Sequence, residues 1–197
     1  MSSFSTRHGQ TGGGGVRRPG APPPPGGSSR PSPSGGPRDQ PGDTITSRWP
    51  GYLDGGYFDE QGNLKPEYVA RCIPGDEMLP DHQQHGVEPL IRAMANGSPK
   101  LTTGQVRRFF GHCRVIETRL KSGATDWGSL RTRFKFLDAA AADAFGKQPR
   151  KIPGLFYDFI RRNVAAVHSE KDFLKGFIPH FEALVGFASL HVEKDRN

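Results

Sequence analysis

Apolar residues recur at helical spacing through most of the second half of the chain. After Thr102 they stand three or four positions apart, so that they share one face of a helix. This pattern predicts one helix from about Thr102 to Gly123 and a second from about Asp126 to Phe145. Their inward positions are Val106, Phe109, Phe110, Cys113, Ile116 and Leu120, followed by Trp127, Leu130, Phe134, Leu137, Ala141 and Phe145.

Start and stop signals agree with these two helices. The run Thr102-Thr103-Gly104-Gln105 fits a capping box, in which a threonine hydroxyl and a glutamine side chain each satisfy a free backbone amide. Asp126 can cap the second helix in the same manner, and Gly123 and Gly146 stand at the two ends.

Two further helices are predicted near the C-terminus and a short one before the main pattern. The third main helix runs from about Pro153 to His168, and the fourth begins at Ser169 with Asp172 three residues on. Pro179 lies inside the fourth helix and predicts a kink or a short break. With a short helix over about 86–95, the fold class is all-α, a small helical bundle of about five helices.

The first half of the chain has a different composition. Residues 1–49 contain eleven Gly and nine Pro and few apolar side chains, which predicts a disordered tail. Residues 50–99 form an acidic, irregular segment that contains the short helix, with a hairpin turn at Gln61-Gly62-Asn63. The helical bundle domain then occupies residues 100–197.

Charge is unevenly distributed along the chain. The formal net charge of +7 divides into +4 for residues 1–49, −5 for 50–99, +7 for 100–150 and +1 for 151–197. The positive charge of the predicted bundle is therefore concentrated in about fifty residues. Such an excess favours a polyanionic partner, because each cation near a phosphate releases a condensed counterion. A solvated basic face without a partner is the alternative.

The basic residues of the two central helices lie off the apolar stripes. Arg107, Arg114 and Lys121 recur every seven residues on one flank of the first helix, and Arg108 and Arg119 lie on the other. On the second helix Arg131 and Lys135 are four residues apart, with Arg133 on the opposite flank. This spacing suits contacts to successive phosphates and has no signature for reading base edges.

Ordinary surface ion pairs are the competing interpretation of these residues. Glu117 stands four positions before Lys121, and Asp138 stands within one or two turns of Arg131 and Lys135. Pairs at this spacing occur on many solvated helices without any ligand.

Catalysis and cofactors have little support in the sequence. His82 and His85 form an HxxH pair and His112 adjoins Cys113, but no third or fourth ligand follows at a recognised spacing. No nucleophile motif, phosphate loop or pair of catalytic carboxylates is present. We therefore predict no enzyme activity, no metal site and no cofactor. Tyr52, Tyr57 and Phe58 are either stacking residues or packing residues of the acidic segment.

The cysteine content and the lengths of the apolar stretches indicate the cellular compartment. The two cysteines, Cys72 and Cys113, are too few for a disulfide framework, which favours the reducing cytoplasm. No apolar stretch has the length of a signal peptide core or a membrane span, so no membrane partner is expected.

Several segments taken together resemble one protein family. They are GYFDEQGNLKPEYV, KLTTGQVRRFFGHCRVIETRL, LRTRFKFL, IPGLFYDFI and KDFLKGFIPHFEALVGF. In this order they resemble the small helical subunit of type III-A CRISPR effector complexes, the Csm small-subunit family, over about residues 51–190. The Gly/Pro-rich tail lies outside the resemblance.

The resemblance implies a function and a set of partners. It implies an all-α subunit without a catalytic site that lines up in copies and holds paired guide RNA and target RNA by the sugar-phosphate backbone. Other Csm subunits, the backbone subunits and the large nuclease/cyclase subunit, would carry out the chemistry, and base pairing would read the sequence. The residues implied for RNA contact are Lys100, Arg107, Arg108, Arg131 and Arg133, with Arg114 and Lys135 added from the basic flanks.

One departure and one alternative accompany this interpretation. The run Phe136-Leu137-Asp138 stands between Lys135 and the alanines at 139–142, where the family usually has small residues. The alternative is a helical DNA-binding regulatory protein, in which Arg107 and Arg108 would belong to a recognition helix. An adaptor whose basic face docks an acidic protein is a third class.

Overall fold

The computed structural model describes residues 44–194, and the predicted tail over residues 1–43 lies outside them. The α-helices of this part are α1 Ile45–Arg48, α2 Val87–Ala95, α3 Thr103–Lys121, α4 Trp127–Gly146, α5 Gly154–Ala166 and α6 Ile178–His191. Short 3-10 helices cover Pro66–Tyr68 and Asp81–Gln83, and a π-helical stretch, Asp172–Phe177, leads directly into α6. Between residues 44 and 194 the only β pairing consists of isolated bridges, so the predicted all-α class is confirmed.

The core lies where α6 packs against α2 and α3 and where α4 packs against α5. Many aromatic rings pack against one another in it: the Phe134 ring lies 5.1 Å from that of Phe173, and the Phe159 ring lies 5.4 Å from that of Phe181, both edge to face. Each buried phenylalanine stabilises the fold by roughly 2–3 kcal/mol relative to an exposed one. One apolar cluster runs from Ile45 to Val192, and it includes residues on both sides of the boundary predicted near residue 100.

Local capping determines where the basic helices begin. Thr102 Oγ1 accepts from the Gln105 amide at 3.3 Å, and Gln105 Oε1 accepts from the Thr102 amide at 2.9 Å, which confirms the predicted capping box. Asp126 Oδ1 accepts from the Ser129 amide at 2.9 Å at the start of α4. Each cap contributes about 1 kcal/mol and fixes the register from which the arginines follow.

Residues 44–49 correct the sequence prediction, which assigned them to the tail. They form the helix α1, and Ile45 and Trp49 are buried. The Ile45 amide donates to Asp158 Oδ2 at 3.0 Å, and Arg162 donates to Thr46 Oγ1 at 3.1 Å. Both partners belong to α5, so the order of this segment comes from contacts across more than a hundred residues of sequence.

The acidic segment packs onto the bundle through its tyrosines. Tyr52, Tyr57 and Tyr68 are fully buried. The Tyr57 hydroxyl donates to Asn163 Oδ1 at 2.8 Å, and Asn163 Nδ2 donates to the Tyr52 hydroxyl at 2.7 Å. Of the two uses considered for these rings, packing is therefore the one observed. The predicted turn also forms, because Phe58 and Leu64 make an antiparallel bridge around it.

The last helix widens before its proline. Residues Asp172–Phe177 are π-helical, and Pro179 stands in the first turn of α6. The wider turns accommodate the position where the proline lacks an amide donor, which agrees with the predicted break. Gly176 in this stretch faces Tyr57 so closely that a Cβ there would lie 2.6 Å from the ring atom Cγ.

Candidate nucleic-acid interface

Five predicted contact residues on α3 and α4 are exposed, and none has an ion-pair partner anywhere in residues 44–194. They are Arg107, Arg108, Arg131, Arg133 and Lys135. A cation that no carboxylate neutralises remains available for a phosphate, and a cation already bound to a carboxylate must first exchange it.

Two further predicted residues already have carboxylate partners. Lys100 Nζ lies 2.6 Å from Glu193 Oε1, beside the bridge between Thr102 and Glu193 that joins the C-terminal end to the start of α3. Arg114 Nη1 lies 2.7 Å from Glu117 Oε2. The Lys100 side chain is 66 % exposed and that of Arg114 is 50 % exposed. Such exposed pairs contribute little stability, so a phosphate can replace the carboxylate.

The surface-pair alternative holds for one carboxylate and fails for the other. Glu117, buried among its neighbours, also receives Lys121 Nζ at 2.7 Å, as the spacing predicted. Asp138 pairs with neither Arg131 nor Lys135 in the described residues. Asp138 instead lies close enough to Arg161 of α5 for its charge to affect that residue. The pKa of Arg161 is raised mainly by the hydrogen bond to Asp158 and more weakly by the charge of Asp138. Arg131 and Lys135 are therefore left unneutralised.

The structure separates the predicted residues into different flanks. Arg108 lines a cleft between α3 and α4, whereas Arg107 lies beside Val185 and Ser189 of α6. His112 Nε2 donates to the Arg133 carbonyl oxygen at 3.2 Å, which puts Arg133 on the α3 side of α4. At about 100° per residue, Arg131 and Lys135 fall on the other flank of α4.

A bare strip of helix surface runs between the flanks of α3. Gly111 stands there, and a Cβ at this position would meet no atom within 4 Å. Val115 follows one turn later and is also exposed. The small side chains leave the α3 backbone open to close approach, with arginines on either side.

The cleft between α3 and α4 contains cations that the sequence analysis missed. It has a volume of about 540 Å³, and Lys147 and Lys151 lie at its edge together with Arg108. The Gln105 side chain donates to the Lys151 carbonyl, which fastens the loop after α4 to the start of α3. Both lysines lie beyond the last apolar position of α4, where helical periodicity gives no signal. Their nearness to Pro149 and Arg150 in a basic loop was the available clue.

The histidines and cysteines considered for chemistry are apart from this surface. His85 Nδ1 lies 2.6 Å from Asp76 Oδ2, and His82 is exposed. Cys113 is buried and Cys72 is half-buried, and both are free thiols. Across residues 44–194, no three His, Cys, Asp or Glu side chains are grouped as a metal ion would require.

Fold and surface together define a helical protein with basic, largely unneutralised side chains on several flanks of two adjacent helices. The model of the family described as Csm2 Type III-A matches residues 91–194, which is more than half of the chain. The chain belongs to the Csm2 Type III-A family. It is thus a small, structural subunit of a type III-A CRISPR effector complex, which contains other Csm subunits.

Two other comparisons complete this result. Neither the curated proteins nor the solved structures gave a match. Among the described helices, none combines the length and the apolar character needed to cross a bilayer. The family match begins inside α2 and covers α3 to α6 with their basic residues, whereas α1 and the buried tyrosines precede it.

Proposed function

We propose that this chain holds paired guide RNA and target RNA through the sugar-phosphate backbone, as a non-catalytic subunit of its effector complex in antiviral defence. The observation that supports the proposal is the set of five exposed arginine and lysine side chains on α3 and α4 that have no ion-pair partner in the described chain. Backbone contacts by such residues give affinity without sequence preference, and base pairing between guide and target supplies the sequence reading.

The five residues do not share one line, and a duplex suits that arrangement. Arg108 and Arg133 lie on the facing sides of α3 and α4, whereas Arg131 and Lys135 lie on the far flank of α4. A duplex has two backbones, so residues on different flanks can contact different strands. Lys100 and Arg114 join the interface when phosphate replaces Glu193 and Glu117, and each therefore adds less to the affinity.

The proposed partners follow from this role. The other Csm subunits, including the backbone subunits and the large nuclease/cyclase subunit, carry out cleavage and nucleotide chemistry in the cytoplasm. Further copies of this chain lie along the same duplex. The role requires no cofactor.

A double charge reversal tests the proposal. The Arg107→Glu, Arg131→Glu variant is expected to bind a guide-target RNA duplex about tenfold to a hundredfold more weakly at 0.1 M salt, uniformly across sequences. Loss of two phosphate contacts also lowers the slope of affinity against salt by about two units. The matched control is Lys171→Glu, Lys175→Glu, which changes the net charge equally at two exposed lysines outside α3 and α4.

Three results would contradict the proposal. Equal loss in the control variant would show a general charge effect without a defined interface. A footprint of the wild-type chain on one duplex DNA sequence would favour the DNA-binding regulator. Unchanged RNA affinity together with loss of the chain from the assembled complex would indicate an adaptor that docks an acidic protein.

A further inference from the structure

The loop over residues 75–81 presents an apolar side chain among acids. Its sequence, Gly75-Asp76-Glu77-Met78-Leu79-Pro80-Asp81, contains three carboxylates and no base. Met78 is 93 % exposed, and Leu79 is also exposed. Exposing the apolar methionine side chain to water is unfavourable, and exposed methionines are typical of surfaces that bind a partner. The acidic loop, as we call residues 75–81, lies outside the part of the chain that the family model matches.

The acidic loop is tied down rather than loose. The Leu79 amide donates to the Asp76 carbonyl at 2.9 Å, and the Gln84 side chain donates to the Leu79 carbonyl at 2.7 Å. Asp81 pairs with Arg92 of α2 at 3.3 Å. Met78 is therefore presented on a fixed turn anchored to α2, so little conformational entropy is lost when a partner covers it.

The cleft between α3 and α4 has the complementary character. Phe109, Leu137 and Ala140 supply apolar wall, and Phe136 at the cleft is 62 % exposed. Arg108 and Lys151 add positive charge that no carboxylate in the described residues neutralises. The single carboxylate there, Asp143, is already neutralised by Lys147 at 2.7 Å.

We propose that the acidic loop of one copy inserts Met78 and Leu79 into the α3–α4 cleft of a second copy. Glu77, the loop carboxylate that has no ion-pair partner in the described residues, then faces the basic rim. The apolar wall gives a phosphate backbone nothing to bind, which favours a peptide as occupant. The chain's own residues 1–43 carry a net positive charge in sequence and would be repelled by the same rim.

The contact has a defined symmetry. Loop and cleft are different surfaces, so each copy donates one and receives one, and such heterologous contacts generate rows or rings of copies. Met78 and Phe136 have no part in the proposed RNA contacts, and Arg108, which lines the cleft and is one of those contacts, is left unchanged in the tests below. Failure of this inference and failure of the proposed function can therefore be observed separately.

Disulfide trapping on the full chain tests the geometry. In a Cys72→Ser background, a Met78→Cys chain is mixed with a Phe136→Cys chain and treated with a mild oxidant. The expected product is a mixed dimer identified by its mass, and the chain with both cysteines gives a ladder of multimers. The control mixes Met78→Cys with Leu190→Cys, an equally exposed position on α6 that should not cross-link.

A charge exchange tests the electrostatic part. Glu77→Lys and Lys151→Glu are each expected to weaken self-association about fivefold in sedimentation, in line with one lost charge pair, and the double variant should recover it. Circular dichroism verifies that each variant is folded. The inference is overturned if the wild type stays monomeric at all concentrations, if Leu190→Cys cross-links as well, or if Lys151→Glu lowers RNA binding and leaves association unchanged.

Discussion

The Tyr52 hydroxyl lies 2.8 Å from Nε2 of His180, although 128 residues separate the two in sequence. His180 Nδ1 donates to the Tyr68 carbonyl oxygen at 2.5 Å, so Nε2 is the acceptor and the ring is neutral. Both side chains are buried. Burial lowers the pKa of His180 to about 4, because removal from water disfavours the charged imidazolium more than the hydrogen bond to the Tyr68 carbonyl favours it.

This histidine makes stability depend on pH. In the unfolded chain its pKa is about 6.5, so between pH 6.5 and 4 the unfolded state binds a proton that the folded state does not. The stability that the neutral, buried His180 gives the fold is fully present above pH 6.5. As the pH falls towards 4, the free energy of unfolding decreases by up to about 3 kcal/mol. Urea unfolding at several pH values between 7 and 4 measures the slope.

A matched pair of substitutions assigns that slope. His168 is exposed, so His168→Gln should keep the wild-type dependence. His180→Gln should be less stable at pH 7 but should lose less stability on acidification. An unchanged slope in His180→Gln would show that other groups cause the dependence.

The Tyr52 hydroxyl is a second point of sensitivity. Tyr52→Phe leaves His180 Nε2 without its donor and removes one of the two acceptors of Asn163 Nδ2, the other being the Phe159 carbonyl oxygen. We expect a loss of about 1–3 kcal/mol in the free energy of unfolding. Tyr157→Phe is the control, because that ring stacks on Phe145 and its hydroxyl has no partner in the described chain. Equal effects of the two substitutions would contradict this assignment.

Gly176 has no room for a side chain. Gly176→Ala should destabilise by about 1–3 kcal/mol, because the new methyl group would meet the Tyr57 ring at 2.6 Å. At Gly186 of α6 a methyl group meets no atom within 4 Å, so Gly186→Ala should stabilise by about 0.5–1 kcal/mol. Thermal unfolding of the two variants measures effects of opposite sign, and a stable Gly176→Ala protein would rule out the close packing.

Removal of residues 1–69 tests the contribution of the segment before the family match. The shortened chain lacks Ile45 and the three buried tyrosines, and it leaves Asn163 and His180 without side-chain partners. We expect it to lose cooperative unfolding and to bind hydrophobic dyes. A sharp thermal transition like that of the full chain would show that residues 70–197 fold without the segment before them.

The sequence predicted the helices α2 to α6 because their apolar stripes and caps are local signals. Thr102, Asp126 and Gly123 each act within one turn. The sequence did not predict α1 or the burial of Tyr52 and Tyr57, because the partners that order them lie on α5 and α6. Residues 44–49 also follow directly on a stretch rich in glycine and proline, and the composition of residues 1–49 taken together hid their apolar side chains.

The basic surface was predictable in part for the same reason. Helical periodicity placed Arg107, Arg108, Arg131 and Arg133 off the apolar stripe, and all four are exposed. Their role in RNA binding stays a prediction. Spacing alone could not show that the charge of Asp138 raises the pKa of Arg161 on α5. It also could not show that the loop after α4 brings Lys151 to the same cleft as Arg108.

The pairing of Tyr52 with His180 also orders events on the ribosome. Synthesis proceeds from the N-terminus at roughly 5–20 residues per second, so Tyr52 emerges on the order of ten seconds before His180 exists. During that interval the Tyr52 side chain has no α6 to pack against, and chaperones can bind it. The packing around Tyr52 is therefore completed only after α6 has been synthesised, and a product that stops before residue 180 lacks the histidine that pairs with Tyr52.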